Sequence, residues 1–277
     1  MKHVSIFEYA SFRWFKAAVV LSVVAGTVYL WHDPPLKPYG GTWLGYTLGT
    51  IGALLILWLL WFGIRKRRYA SNVGTVQGWL SAHVYLGTSL LVIATLHTGF
   101  ELGWNVHTLA YVLMVITILS GFYGVFVYSR VPETMTSNLG EDTIESILLK
   151  IADIDREARE KALSLPDQIL TIVNRSIDGS RLGGSFWRIL SGRDPTCPTA
   201  AAVEQLPELA KRLTGDVSKL NHEVYTLLLQ KNELLQRVRR QMRLKATLDL
   251  WLYVHVPVSI ALLAALTAHV ISVFIYW

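Results

Sequence analysis

Apolar positions follow two patterns along this chain. Runs almost free of charge occupy residues 14–31, 43–64, 79–100, 107–128 and 250–275, each long enough to cross a bilayer as a helix. Residues 130–247 instead mix charged and apolar positions at helical spacing. Ile144, Leu148, Ile151, Ala158, Ala162 and Leu165 keep a near-heptad order interrupted by Asp155. A longer series runs through Leu206, Ala210, Leu213, Val217, Leu220, Val224, Leu227, Leu234 and Val238, with Lys231 in one seam position. Alternating steps of four and three predict a coiled-coil-like seam, which either the 144–165 helix or a second copy of the chain can fill. No Pro or Gly lies between Gly215 and Pro257, so one helix is expected from about Asp216 through the last apolar run.

These patterns predict an all-α integral membrane protein. Residues 1–129 form a membrane domain with spans one to four, 130–247 a helical insert with a long stalk helix, and 248–277 the fifth span. The first run carries Lys16 and resembles a signal peptide, but no A-x-A-like site precedes His32-Asp33-Pro34-Pro35, so a retained helix is expected.

Charge placement sets the expected topology. Arg65, Lys66, Arg67 and Arg68 follow the second run, Arg130 the fourth, and Arg237, Arg239, Arg240, Arg243 and Lys245 precede the fifth. The opposite loops hold only Asp33, Lys37 and Glu101. The excess of positive charge places the N-terminus and the 130–247 insert in the cytoplasm, and Trp277 outside, in a bacterial-type inner membrane. The net charge of +6 therefore marks orientation and not nucleic-acid binding. Trp43, Trp104, Tyr276 and Trp277 suit an interfacial aromatic belt. The single cysteine, Cys197, excludes an internal disulfide, a four-cysteine iron–sulfur cluster and a C-x-x-C-H haem attachment. Cys197-Pro198 sits in a proline-punctuated loop. The glycine-rich 179–185 segment lacks the lysine of a phosphate-binding loop.

Candidate chemistry lies in four histidines. His83 and His97 in the third run, and His255 and His269 in the fifth, are each fourteen residues apart. On a helix that interval falls about 40° short of four turns and rises about 21 Å, so each span presents two imidazoles on nearly one face. Spans three and five run in the same direction, which puts His83 level with His255 towards the cytoplasm and His97 level with His269 towards the outside. Imidazole is costly to leave unpartnered in hydrocarbon and is a good axial ligand for haem iron. The expected arrangement is a four-helix bundle with two bis-histidine haems. Small residues suit a flat macrocycle: Gly87 and Ala94, Ser259, Ala261, Ala264, Ala265 and Ala268, and the fourteen-spaced pairs Gly49 and Gly63, and Ala110 and Gly124. Pro257 kinks the fifth span near His255.

Other groups have two readings each. Glu101 and His107 form a quinol proton-accepting site, or are interfacial polar groups, with His107 placed to bond a haem propionate. Arg65 to Arg68, Arg243 and Lys245 pair with inner-haem propionates, or serve topology alone. His3, His32 and His222 have no partner identifiable from sequence.

The pairs His83-x13-His97 and His255-x13-His269 resemble the ligand pattern of dihaem b-type membrane cytochromes. Their spacing is nearest to cytochrome b of quinol–cytochrome c oxidoreductases, in which a four-helix core holds two haems between two parallel helices. The NADPH-oxidase and ferric-reductase families are similar in placing such pairs on their third and fifth spans. The resemblance covers about half the chain and includes neither a Pro-Glu-Trp-Tyr motif nor a C-terminal flavin or nicotinamide domain. It implies that His83, His97, His255 and His269 are axial ligands to two haem b groups. The implied protein is an electron-transfer subunit rather than a complete enzyme. It would work between quinone and a separate redox protein: a c-type cytochrome, an iron–sulfur protein or a flavoprotein. Two alternatives remain at this level. One is a stand-alone transmembrane reductase of metal ions or oxygen. The other is a haem-sensing or haem-free membrane signalling protein that uses the coiled-coil stalk, through which it also self-associates.

Overall fold

A computed structural model of the chain describes residues 8–34, 39–67, 74–192 and 194–275. His3, Lys37, Arg68, Tyr276 and Trp277, which entered the sequence predictions, lie outside the described residues. Those described form nine helices and no strand. The chain divides into two compact units, one of residues 1–125 and 251–277 and one of residues 126–250.

The first unit contains α1 (Arg13–Trp31), α2 (Trp43–Arg67), α3 (Val76–Thr98), the start of α4 (Val106–Leu139) and the end of α9 (Gly215–Ile275). These five helices are long and apolar enough to cross a membrane. Their outer surfaces support that character: Val20, Leu54, Leu119, Ile260 and Phe274 are exposed, an apolar covering suited to lipid rather than water. α1 and α2 both pack along α3. One core layer joins Ala25, Leu44, Leu48 and Ile93, and a second joins Ile56, Leu90, Met114 and Leu262.

Local chemistry sets the ends of α3. The Thr75 side chain accepts from the Gly78 N–H at 3.1 Å, capping the first turn. Gly99, at φ 58°, closes the last turn in the left-handed conformation that glycine adopts without strain. α4 runs to Leu139, eleven residues beyond the expected end of the fourth span, with Pro132 inside it. Arg130 therefore lies within a helix, its guanidinium 4.4 Å from the centre of the Phe126 ring.

The second unit contains α5 (Ile144–Ala162), α6 (Asp167–Gly179), α7 (Phe186–Ser191), α8 (Pro198–Ala210) and the first part of α9. The continuous helix expected from Asp216 is present as α9, 61 residues long, starting at Gly215 and containing Pro257. Its seam is filled from within the same chain. Val224 and Leu228 join Ala158, Ala162, Ile169, Val173 and Leu206 in one cluster, and Leu235 and Val238 join Ile147, Ile151 and Cys197 in another.

The seam register differs from the sequence expectation at alternate steps. Leu228 and Leu235 are buried where Leu227 and Leu234 were expected, and Ile147 lies inside while Ile144 and Leu148 are exposed. Leucine doublets at 227–228 and 234–235 make both registers apolar, so hydrophobicity alone does not separate them. Val224, Lys231 and Val238 belong to both. Lys231 is only 1% exposed, and its Nζ lies 2.6 Å from Asp155 Oδ1 and donates to the Ser176 carbonyl at 2.9 Å. The two interruptions of the sequence pattern, Asp155 and Lys231, are thus one buried ion pair.

The segment between α6 and α8 is held by charge. Asp194 pairs with Arg188 at 3.1 Å and with Arg239 at 2.9 Å, and Arg239 also donates to Cys197 Sγ at 3.3 Å. Burial works to raise the Asp194 pKa, but Thr196, Arg239 and Arg188 together hold it below the usual carboxylate value. A depressed folded-state pKa stabilises the fold fully above the ordinary carboxylate range, and that contribution is lost as pH falls through the lower folded value. Amide exchange over residues 185–200, corrected for intrinsic rates, is accordingly expected to rise as pH drops below about 4. Asp194→Asn is expected to show that faster exchange already at neutral pH. Burial likewise works to raise the Cys197 thiol pKa, yet the Ala200 and Thr199 backbone and Arg239 hold it below its ordinary value.

Candidate functional site

Polar side chains inside the spans divide into two kinds. Most hydroxyls bond within their own helix: Thr47, Thr88, Thr95, Thr117, Ser259 and Thr267 each donate to the carbonyl four residues earlier, at 2.7–3.0 Å, whereas the buried Ser81 hydroxyl has no partner. Imidazoles are too long to bond this way and need partners from other helices or from a bound group. The structure brings all four paired histidines into the first unit, on α3 and α9.

At the level expected to be the outer one, the His97 and His269 ring centres are 6.0 Å apart and the rings are perpendicular. His97 rests on glycines. Its Nδ1 is 2.8 Å from the Gly45 carbonyl. A Cβ built on Gly49 would come within 2.7 Å of its Cε1, and one on Gly40 within 3.4 Å. Gly49, expected to make room for a macrocycle, lies against the His97 ring. His269 Nδ1 is bonded to His107 Nδ1, the two ring centres being 4.5 Å apart. Glu101 lies exposed on the connection between α3 and α4, and its N–H is bonded to the Thr98 carbonyl.

At the level expected to be the inner one, His255 Nδ1 is 2.8 Å from Ser120 Oγ on α4. The Trp251 indole stacks on the His255 ring at 5.1 Å and donates to the Ser120 carbonyl at 2.7 Å. It fills the space over Gly124, where an added Cβ would collide with the indole. His83 lies against Phe62, ring centres 5.1 Å apart, and is close enough to feel His255 and the Leu59 backbone. Its Nδ1 is buried with no hydrogen-bond partner. A Cβ on Gly63 would meet nothing within 4 Å. Of the small residues on the fifth span, Ala265 is buried, whereas Ala261, Ala264 and Ala268 are exposed.

These residues fit a group that takes two imidazoles per site. For His97, His255 and His269 the Nδ1 atom is engaged, which leaves Nε2 as the nitrogen to bind a metal. A separation of 6.0 Å between ring centres matches two metal–nitrogen bonds of about 2 Å plus two ring radii. The 4.5 Å between His107 and His269 leaves no such room. A macrocycle supplies the other ligands itself and asks the protein for two.

The contact between His107 and His269 was not foreseen from sequence, nor was the part taken by Ser120 and the Gly45 carbonyl. Ser120 carried a signal, a hydroxyl in the fourth span one turn from Gly124; a backbone carbonyl carries none. Arg65 is buried, its guanidinium donating to the Gly74 carbonyl at 2.8 Å. The His32 ring lies edge-on to Trp43, and His222 lies beside Tyr225. No protein-family model, curated protein or solved structure matches the chain.

Proposed function

We propose that this chain is a dihaem b-type cytochrome subunit that carries electrons across the membrane. What supports this most is the approach of His97 and His269 from two spans, with His97, His255 and His269 each bonded locally through Nδ1, which leaves Nε2 uncommitted. Haem held there supplies reversible one-electron transfer. His83 and His255 hold the inner group, and His97 and His269 the outer one. The Gly45 carbonyl and Ser120 hydroxyl orient the His97 and His255 rings, fixing the tautomer and raising ligand basicity. The Ile56, Leu90, Met114 and Leu262 layer keeps water out between the levels. Electrons enter and leave through other molecules, quinone and a separate redox protein, because the chain has no motif for a flavin, an iron–sulfur cluster or covalent haem. The membrane is a bacterial-type inner membrane, with the N-terminus and the 130–247 insert cytoplasmic and the C-terminus outside. A second reading, reduction of a metal ion or oxygen at the outer level, draws on the exposed position of the His107–His269 contact.

The test is a reduced-minus-oxidised optical spectrum of the purified chain with haem quantified. Two low-spin b haems per polypeptide are expected, and a chain free of haem overturns the proposal. Gly49→Ala should disturb one group only. Its Cβ falls within 3 Å of the His97 ring and displaces it from the Gly45 carbonyl, so haem is expected to fall towards one per chain. Gly63→Ala, into open space, is expected to leave both.

A further inference from the structure

The second unit carries an aromatic and cationic surface that its own fold does not use. α7 is a single short helix opened by Ser185, whose hydroxyl accepts from the Arg188 N–H. On it Trp187 is 71% exposed, with the neighbouring Phe186 ring 5.7 Å away. An indole left outward in a unit with two apolar clusters of its own is a group placed for something outside the chain.

The α7 segment is fastened to one stretch of α9. Arg239 reaches the Arg181 carbonyl at 3.4 Å and Asp194 at 2.9 Å. A Cβ on Gly192 would lie 2.8 Å from Arg243 Cδ, and one on Gly183 would lie 3.9 Å from Met242 Cε. That stretch ends about two helical turns before the apolar run of residues 250–275 begins in the same helix. Arg181, Arg240, Arg243 and Lys245 are exposed on these elements. Of the acidic groups there, Asp194 is neutralised by two guanidiniums, which leaves Asp249 against the four cations. The surface is therefore cationic, with an indole at its edge.

An indole combined with clustered arginine and lysine beside the start of a span suits the headgroup layer of a bilayer. The ring takes the boundary between polar and apolar regions while the cations meet lipid phosphates. We propose that α7 and its flanking loop lie on the anionic headgroup surface of the membrane that the chain crosses. Trp187 is the interfacial anchor, and Arg181, Arg240, Arg243 and Lys245 are the phosphate-facing cations. The proposal is independent of the haem reading, because it uses only the membrane character of the chain and residues of the second unit.

The test uses the full chain reconstituted into phosphatidylcholine vesicles with or without a quarter of phosphatidylglycerol. Cys197 is buried, so a fluorophore on Ser191→Cys reports α7 and one on Lys211→Cys serves as a control at the far end of α8. With phosphatidylglycerol present, the 191 label is expected to be quenched several-fold better by a lipid-borne nitroxide than by aqueous iodide. The 211 label should show the reverse. Trp187→Ala, or glutamine at the four cations, is expected to return the 191 label to iodide. Equal protection with and without phosphatidylglycerol overturns the anionic partner. Full iodide access in both overturns the docking, and protection that grows with protein-to-lipid ratio assigns the surface to a second copy instead.

Discussion

His97→Ala is expected to lower the haem bound by the purified chain from two per polypeptide to about one, read from the optical spectrum and from extracted haem. On the proposed assignment the imidazole lost would be one of the two that hold the group, and His269 alone, tied at Nδ1 to His107, would not replace it. His255, with Ser120 at 2.8 Å and Trp251 stacked on it, belongs to the other level and retains its environment. His83→Ala should give the mirror result, with the loss now at the inner level. His107→Ala removes a supporting bond and no ligand, so haem is retained and at most one of the two potentials shifts. Haem content unchanged in both His83→Ala and His97→Ala would overturn the ligand assignment.

Lys231→Ala is expected to produce the largest loss of stability in the second unit, about 3–5 kcal/mol, because Asp155 is left as an uncompensated charge in the helical core. Replacing both partners, Lys231→Met with Asp155→Leu, should restore or exceed the original stability, since apolar residues of similar volume avoid the desolvation of two ions. The lone thiol is a convenient gauge: Cys197 is buried in the cluster with Ile147, Leu235 and Val238. Its labelling rate by a thiol reagent tracks opening of this unit and should rise roughly a hundred- to a thousand-fold in Lys231→Ala. A double replacement as labile as the single one would show that the pair stabilises more than its apolar equivalent.

Much of this architecture could be read from residue order. Five runs nearly free of charge correspond to five helices, since hydrocarbon leaves a chain few ways to satisfy its backbone. The α9 helix was equally plain, because neither glycine nor proline interrupts residues 216–256. The seam register was not. Choosing between Leu227 and Leu228 requires knowing which face of α9 meets Ala158, Val173 and Leu206, because Val224, Lys231 and Val238 serve both registers. At the site, the histidines announced themselves by interval alone, whereas the Gly45 carbonyl and the seat of Trp251 over Gly124 depend on backbone placement that no side-chain pattern encodes.

The division of the chain into units has a consequence for the order of its making. The first unit is closed only by residues 251–277, so α3 is synthesised and inserted while its counterpart in α9 does not yet exist. About 170 residues separate His97 from His269 in the order of translation. At ribosomal speed that is on the order of 10–30 s during which the α3 histidines wait in the membrane, while the whole of residues 126–250 emerges and collapses on its own core. α9 completes the first unit begun, and any chain released before it carries two α3 imidazoles without their α9 counterparts.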